Sequence, residues 1–316
     1  MIIYHNLDDF RQLPFAVVTS GTFDGVHLGH QKILSRLKVI AEENRGETVV
    51  ITFWPHPRLV LYPDDPALKL LNTFEEKTEL LKEQGIAHLI RIPFTKEFSN
   101  LTSEEFITGI LVNTIGTRKL VIGYDHRFGH NREGSFEELK VNGPRYGFDV
   151  EEISRQDIDQ VAVSSTKIRK ALETGDIETA NHFLGRPYSI RGRVIKGDKL
   201  GRLIGYPTAN IEVDSTHKLI PSDGIYAVTV TYGHEQFNGM LYIGNRPTVG
   251  GGRHSIEVNI FDFNKEIYGD SLVLHIHKLI RYDAQFTDLE SLKKELAADK
   301  LKTLDVLNQM LRHGRR

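Results

Sequence analysis

The chain of 316 residues carries 40 Lys and Arg against 42 Asp and Glu, a formal charge of −2, so no global field draws it to DNA, RNA or an anionic membrane. It has no cysteine, which excludes disulfides, thiolate metal sites and a cysteine nucleophile and fits a reducing, cytoplasmic setting. Neither a basic leader nor a run of ~20 apolar residues is present, and the length predicts two domains.

Short Val- and Ile-rich runs at 16–19, 48–53, 88–92, 119–122 and 149–153 are too brief for buried helices and predict parallel strands covered on both faces. Between the first two, Ile33, Leu34, Leu37, Ile40 and Ala41 fall on one helical face, with Gly46 as the expected stop. Thr73-x-x-Glu76 and Thr102-x-x-Glu105 are capping boxes that open two further helices. Strand and helix thus alternate, which predicts a doubly wound α/β sheet through about residue 180.

After Gly185-Arg186-Pro187 the strand-like stretches at 188–196, 224–232, 237–243, 255–261 and 271–279 follow one another without long helices. The boundary is therefore set between 184 and 185, and the second domain, 185–316, is expected to be a small antiparallel barrel. Residues 287–313 return to helical spacing, with Leu289, Leu292, Leu296, Leu304, Leu307 and Leu311 as the expected buried stripe.

The first predicted strand runs into Gly21-Thr-Phe-Asp-Gly-Val-His-Leu-Gly-His30 and then a helix. A helix N-terminus at the carboxyl end of a strand offers unpaired N–H groups and partial positive charge to phosphate. Gly25 and Gly29 let the backbone approach a ligand, and His27 and His30 can donate to phosphate oxygens; a turn with two surface histidines, or a zinc site, is the plainer alternative. Val163-Ser-Ser-Thr-Lys-Ile-Arg169 precedes another helical stretch. Ser and Thr there are ordinary caps, but Lys167 and Arg169 in a first turn oppose the helix dipole unless a polyphosphate is bound. His126-x-x-x-His130 and His275-x-His277 have metal-like spacing without further ligands.

The second half lacks G-x-x-x-x-G-K-[ST], which excludes a Walker-type kinase. Instead, residues 192–210 combine glycines and cations, including Gly197, Lys199, Gly201 and Gly205, and end in Pro207-Thr-Ala-Asn210. Such a segment can wrap a polyphosphate with backbone N–H groups, and Thr208 and Asn210 are hard oxygen donors suited to Mg²⁺, although glycine-rich hairpins are also common in barrels.

Several stretches carry a family resemblance: GTFDGVHLGHQ at 21–31, Phe53-Trp-Pro-His-Pro57, Gly123-Tyr-Asp-His-Arg-Phe-Gly129 and SSTKIR at 164–169. In the second half they are PTAN at 207–210, Gly224-Ile-Tyr226, Ile243-Gly-Asn-Arg-Pro-Thr248, Glu257 within IEVNIFDF, Tyr268-Gly269, and Arg281 followed by Phe286. In these the chain resembles the bacterial bifunctional riboflavin kinase/FMN adenylyltransferase family over almost its whole length. The resemblance implies a Rossmann-like nucleotidyltransferase sheet followed by a riboflavin kinase β-barrel with terminal helices. It implies ATP as co-substrate, Mg²⁺, and FMN and FAD as product and substrate. His27 and His30 would act in adenylyl transfer, with Gly21, Phe23, Asp24, Gly25, Gly29, His56, Ser164, Ser165, Thr166, Lys167 and Arg169 toward the nucleotide and Asp125 and Arg127 on the flavin side. Glu257 would be the kinase base, Thr208 and Asn210 the metal holders, and Gly197, Lys199, Gly201, Gly205, Pro207, Arg246 and Arg281 further ligand contacts. His126 stands where the family usually has an aromatic ring, and Asn259 replaces a more usual histidine. The expected partners are small molecules, not nucleic acid or membrane, with homo-oligomer formation left open. The competing readings are an enzyme with one dormant module and a flavin-binding regulator.

Overall fold

A computed structural model describes residues 1–65, 68–123, 128–129, 134, 136–153, 163–197, 201, 205–245, 254–286 and 288–313. By packing, the chain divides into two compact units, Met1–Ser165 and Thr166–Arg316.

The first unit is a parallel sheet of six strands: β1 (Ile2–Tyr4), β2 (Ala16–Ser20), β3 (Glu47–Trp54), β4 (His88–Pro93), β5 (Thr117–Gly123) and β6 (Asp149–Ile153). Their spatial order is β1-β4-β3-β2-β5-β6. The chain winds outward from β2 in one direction and then from β2 in the other, so the order reverses between β2 and β5. Open α/β sheets bind ligands at such a switch point, beyond the carboxyl ends of the strands. The five predicted strands are all present, and β1 pairs with β4 at the edge as a strand the sequence pattern did not reveal.

Every residue of β2 is buried, as expected of a central strand with helices on both faces. The helix α1 (Leu28–Glu43) buries Ile33, Leu34, Leu37, Ile40 and Ala41 as its period predicts, and stops at Asn44, two residues before Gly46. A short α2 (Pro57–Leu61) follows β3, and α3 (Phe74–Glu83) and α4 (Ser103–Glu105) open on Thr73 and Thr102 with both capping boxes formed. From α4 the chain continues as a π-wound helix over Phe106–Ile115, and α5 (Phe136–Asn142) precedes β6.

In the second unit α6 (Ser165–Glu173) and α7 (Ile177–Leu184) lead into a closed barrel. Its strands are β7 (Tyr188–Ile195), β8 (Ala209–Glu212), β9 (Gly224–Tyr232), β10 (Glu235–Asn245), β11 (His254–Ile260) and β12 (Ser271–Tyr282). They close in the order β10-β11-β8-β7-β12-β9, all pairs antiparallel. The pattern break at 185 marks the first barrel strand, whereas the packing division falls at 165/166. The reason is that α7 is tied to the barrel: the Asn181 amide donates to the Ile276 carbonyl at 2.9 Å and accepts the Tyr188 N–H at 2.7 Å.

A long α8 (Leu289–His313) closes the chain. Its predicted leucine stripe holds at Leu296, Leu304 and Leu307, but Leu289 and Leu311 are exposed. The buried face instead carries Asp299 and Thr303, because Asp299 receives the Arg281 guanidinium at 2.9 Å. Among the described residues no helix is long and apolar enough to cross a membrane.

His275 and His277 lie on the face of β12 opposite the buried Leu272, Leu274 and Ile276, bonded to Thr231 and Thr229 at 3.1 and 2.9 Å. Burial holds the His277 imidazole down to about 4 from an ordinary 6.5, and that of His275 is also lowered. Between those values the unfolded chain binds a proton that the folded chain refuses, so stability is full above pH 6.5 and falls as pH drops toward about 4. The urea midpoint of the second unit's transition is therefore expected to fall across this window, and less steeply in His277→Gln.

Candidate active sites

The first cradle lies at the switch point, where β2 gives way to the turn before α1. Phe23 and Val26 hold positive φ values of 47° and 39°, and Gly25 one of 88°. Two non-glycine residues in left-handed backbone within one turn are costly, and such strain gathers at binding sites. The Phe23 ring is buried in the core, so this position presents backbone, not side chain, to a ligand.

His27 is the N-cap of α1 and only 7% exposed; its Nδ1 accepts the His30 backbone N–H at 3.4 Å. An Nδ1 used as acceptor leaves Nε2 of the neutral ring as the N–H donor. The His27 and His30 rings stack with centroids 3.7 Å apart and 16° between planes, and a Cβ on Gly29 would come within 3.3 Å of the His27 ring. The pair thus forms one slab of imidazole at the N-terminus of α1, the end of a helix that carries partial positive charge.

Other expected nucleotide contacts prove to brace this turn. The Asp24 carboxylate is 3% exposed and accepts the Leu71 N–H at 2.9 Å and the Asn72 N–H at 3.3 Å. These bonds tie the approach to α3 against the cradle. His56 is buried and caps α2 by accepting the Arg58 N–H at 3.2 Å, again a bracing role. Gly21 sits against the Phe23 ring. The Ser165 hydroxyl donates to the Asp24 carbonyl at 2.9 Å, which brings the segment from Val163 to Ser165 to the back of the cradle. Thr166, Lys167 and Arg169 follow along α6 in the second unit, the first two exposed and Arg169 half-buried. Asp125 and Arg127 lie outside the described residues.

The second cradle is built where β11 meets β8. Glu257 pairs in register with Asn210 on one side and Tyr242 on the other. Its carboxylate, in a residue 6% exposed, accepts the Thr208 hydroxyl at 3.0 Å and the Ser255 hydroxyl at 3.2 Å. Two donors on one carboxylate fix its orientation and hold Thr208 beside it. Gly197 lies so close to the Asn210 amide that a Cβ would sit 2.2 Å away, and one on Gly201 would sit 2.3 Å from the Tyr206 carbonyl. At both positions only a glycine leaves room for this approach to Asn210 and Tyr206. Gly205 has φ +87° and open space around it.

Asn259 donates its amide to the Pro207 carbonyl at 2.6 Å, so the residue that departs from the family pattern anchors the Pro207-Thr-Ala-Asn strap. Tyr242 reaches Asp283 at 3.3 Å, and burial, with Asp283 and Glu257 nearby, pushes its phenol well up. Sequence reasoning missed Ser255 and Tyr242, whose only signal was a shared strand face with Glu257. The Arg281 guanidinium is held by Asp299 at 2.9 Å and Glu295 at 3.7 Å and fastens α8 to the barrel. Lys199 and Arg246 lie outside the described residues. Thr208 and Asn210 offer hard oxygen donors beside the Glu257 carboxylate, a set that fits Mg²⁺, which typically keeps waters and substrate phosphates in its shell. Among the described residues no cluster of three His, Cys, Asp or Glu suited to a metal is present.

A His-pair cradle at an α/β switch point, followed by a barrel with an oriented carboxylate, defines a transferase with two phosphate-handling centres. The FAD synthetase family model matches residues 10–167 and the riboflavin kinase model residues 184–307. Bifunctional riboflavin kinase/FMN adenylyltransferases of Escherichia coli strain K12 and Bacillus subtilis strain 168 are each 37% identical, over 94% and 90% of both chains respectively. A crystal structure described as a macrolide-efflux protein from Streptococcus pneumoniae superposes with a TM-score of 0.85 at 31% identity, over 96% of this chain and 98% of that one. The chain belongs to the bifunctional riboflavin kinase/FMN adenylyltransferase family.

Proposed function

We propose that this enzyme makes both flavin cofactors in sequence, each unit running one transfer: riboflavin to FMN in the barrel and FMN to FAD at the His-pair cradle. In the first step the riboflavin 5′ hydroxyl attacks the γ-phosphorus of ATP, Glu257 takes its proton, and ADP leaves. A primary alcohol is a weak nucleophile until a positioned base accepts its proton, and Glu257 is oriented for that by Thr208 and Ser255. Thr208 and Asn210 would hold Mg²⁺, which neutralises phosphate charge when bound. Gly197, Lys199, Gly201, Gly205, Pro207 and Arg246 are assigned to the ligand by resemblance.

In the second step an FMN phosphate oxygen attacks the α-phosphorus of a second ATP, and pyrophosphate leaves. No covalent intermediate is needed; positioning and charge stabilisation carry such transfers. His27 and His30 donate to the phosphates, the turn around Phe23 and Gly25 supplies backbone N–H groups, and Lys167 and Arg169 are assigned to the outer phosphates by resemblance alone. The domain division at 184/185, a cytoplasmic location and small-molecule partners, without nucleic acid or membrane, complete the reading.

The observation that carries the proposal is the Thr208 hydroxyl meeting the Glu257 carboxylate at 3.0 Å in one unit while His27, stacked on His30, caps α1 in the other. A chromatographic time course with riboflavin, ATP and Mg²⁺ tests it. FMN should rise first and FAD follow, and chelation by EDTA should stop both. Formation of one product alone would leave a single-activity enzyme.

A further inference from the structure

We propose that Lys77 is a positioning residue for adenylyl transfer: from behind the first cradle its ammonium acts through Thr52 on the Thr22–Phe23 peptide and sets the backbone that receives the ATP phosphates. The inference rests on assigning FMN adenylylation to the first unit.

Lys77 lies on α3 and is 1% exposed. Taking an ammonium out of water is costly unless its surroundings repay it, so a lysine wholly inside the fold marks a specific arrangement. Its Nζ donates to the Thr52 hydroxyl at 3.3 Å and lies 5.1 Å from the centre of the Trp54 ring. The Thr52 hydroxyl in turn donates to the Thr22 carbonyl at 3.4 Å. In a trans peptide the C=O and N–H point in opposite directions. A Thr22 carbonyl drawn inward toward Thr52 therefore turns the Phe23 N–H outward, at the residue whose left-handed φ of 47° the turn must hold.

The charged groups around Lys77 leave this chain intact. Asp24, on the cradle loop, is the carboxylate that favours the charged lysine, and it is bonded to the N–H groups of Leu71 and Asn72. Glu76, next to it on α3, is engaged in the capping box. Arg91 on β4, the register partner of Thr52, rests against the Phe74 ring. The two contacts from Lys77 to the cradle are long, as catalytic hydrogen bonds often are before ligand arrives, and they tighten when phosphate pulls on the Phe23 N–H. Burial holds the ammonium down to about 8, so it is charged at neutral pH and loses its charge in mildly basic solution.

The test compares Lys77→Met, Lys77→Arg and His30→Ala for FAD formation from FMN and ATP, with thermal melting and riboflavin phosphorylation measured on the same proteins. Lys77→Met is expected to lower kcat/KM for ATP by about tenfold or more, with phosphorylation unchanged. Lys77→Arg, whose cation does not titrate, is expected to recover to within about threefold of the parent. In the parent kcat/KM for ATP should fall as pH rises through about 8, and in Lys77→Arg that fall should vanish. Parent-like kcat/KM in Lys77→Met overturns the proposal. So does equal loss in both lysine variants with melting lowered in parallel, or a basic limb that persists in Lys77→Arg. If His30→Ala makes FAD normally, it is the assignment of the site that fails instead.

Discussion

Glu257→Ala is expected to make no detectable FMN from riboflavin, yet to convert added FMN to FAD at the parent rate. The Glu257 carboxylate is bonded to Thr208 and can accept the alcohol proton, and losing a positioned general base typically costs about 10²- to 10⁴-fold in rate. Glu257→Gln sharpens the result. An amide oxygen can still accept from Thr208 and Ser255, so the shape of the strap persists while the proton acceptor is gone. Both variants should therefore fail in phosphorylation by a similar factor and bind ATP nearly as well as the parent. Loss of FAD formation from FMN as well would indicate a folding defect or a shared site.

His30→Ala is expected to do the reverse: riboflavin becomes FMN, FMN accumulates, and FAD formation drops about 10²- to 10³-fold, the usual cost of deleting one preorganised donor at a developing charge. The substitution leaves the helix cap standing, because His27 accepts the backbone N–H of residue 30 and not its side chain. What disappears is the stacked partner 3.7 Å from the His27 ring. A liquid-chromatography trace of flavins against time separates this outcome from general inactivation, since the kinase step in the same tube reports on an intact second unit.

The strands that were legible in the sequence are those with a physical reason to be so. Val17, Val18, Val49, Val50, Leu89, Ile90, Val121 and Ile122 are buried in a sheet covered on both faces, and such strands must be apolar throughout. The edge strand Ile2–Tyr4 and the strap strand Ala209–Glu212 are short and held by pairing with neighbours, a long-range effect that leaves no periodic trace. Asp24 was singled out by the sequence as a residue toward the nucleotide, whereas Lys77 and Asp299 carried no signal, since each is buried against a partner brought from elsewhere in the chain. Arg281 was legible only as part of the family resemblance, and its ion pairs with Glu295 and Asp299 come from the return of α8 to the barrel, which no local pattern announces. The His27–His30 cradle was legible from position, between a strand and a helix. Glu257 came from family resemblance alone, since one carboxylate on an alternating strand carries no signal of its own.

Two independent centres in one chain is the central claim, and complementation tests it most directly. His30→Ala and Glu257→Ala are each incubated with riboflavin, ATP and Mg²⁺, separately and as an equimolar mixture. Separately, the first should stop at FMN and the second at riboflavin; mixed, FMN released by one is taken up by the other and FAD appears. A mixture that still makes no FAD, with both proteins folded and FMN present, would contradict the account.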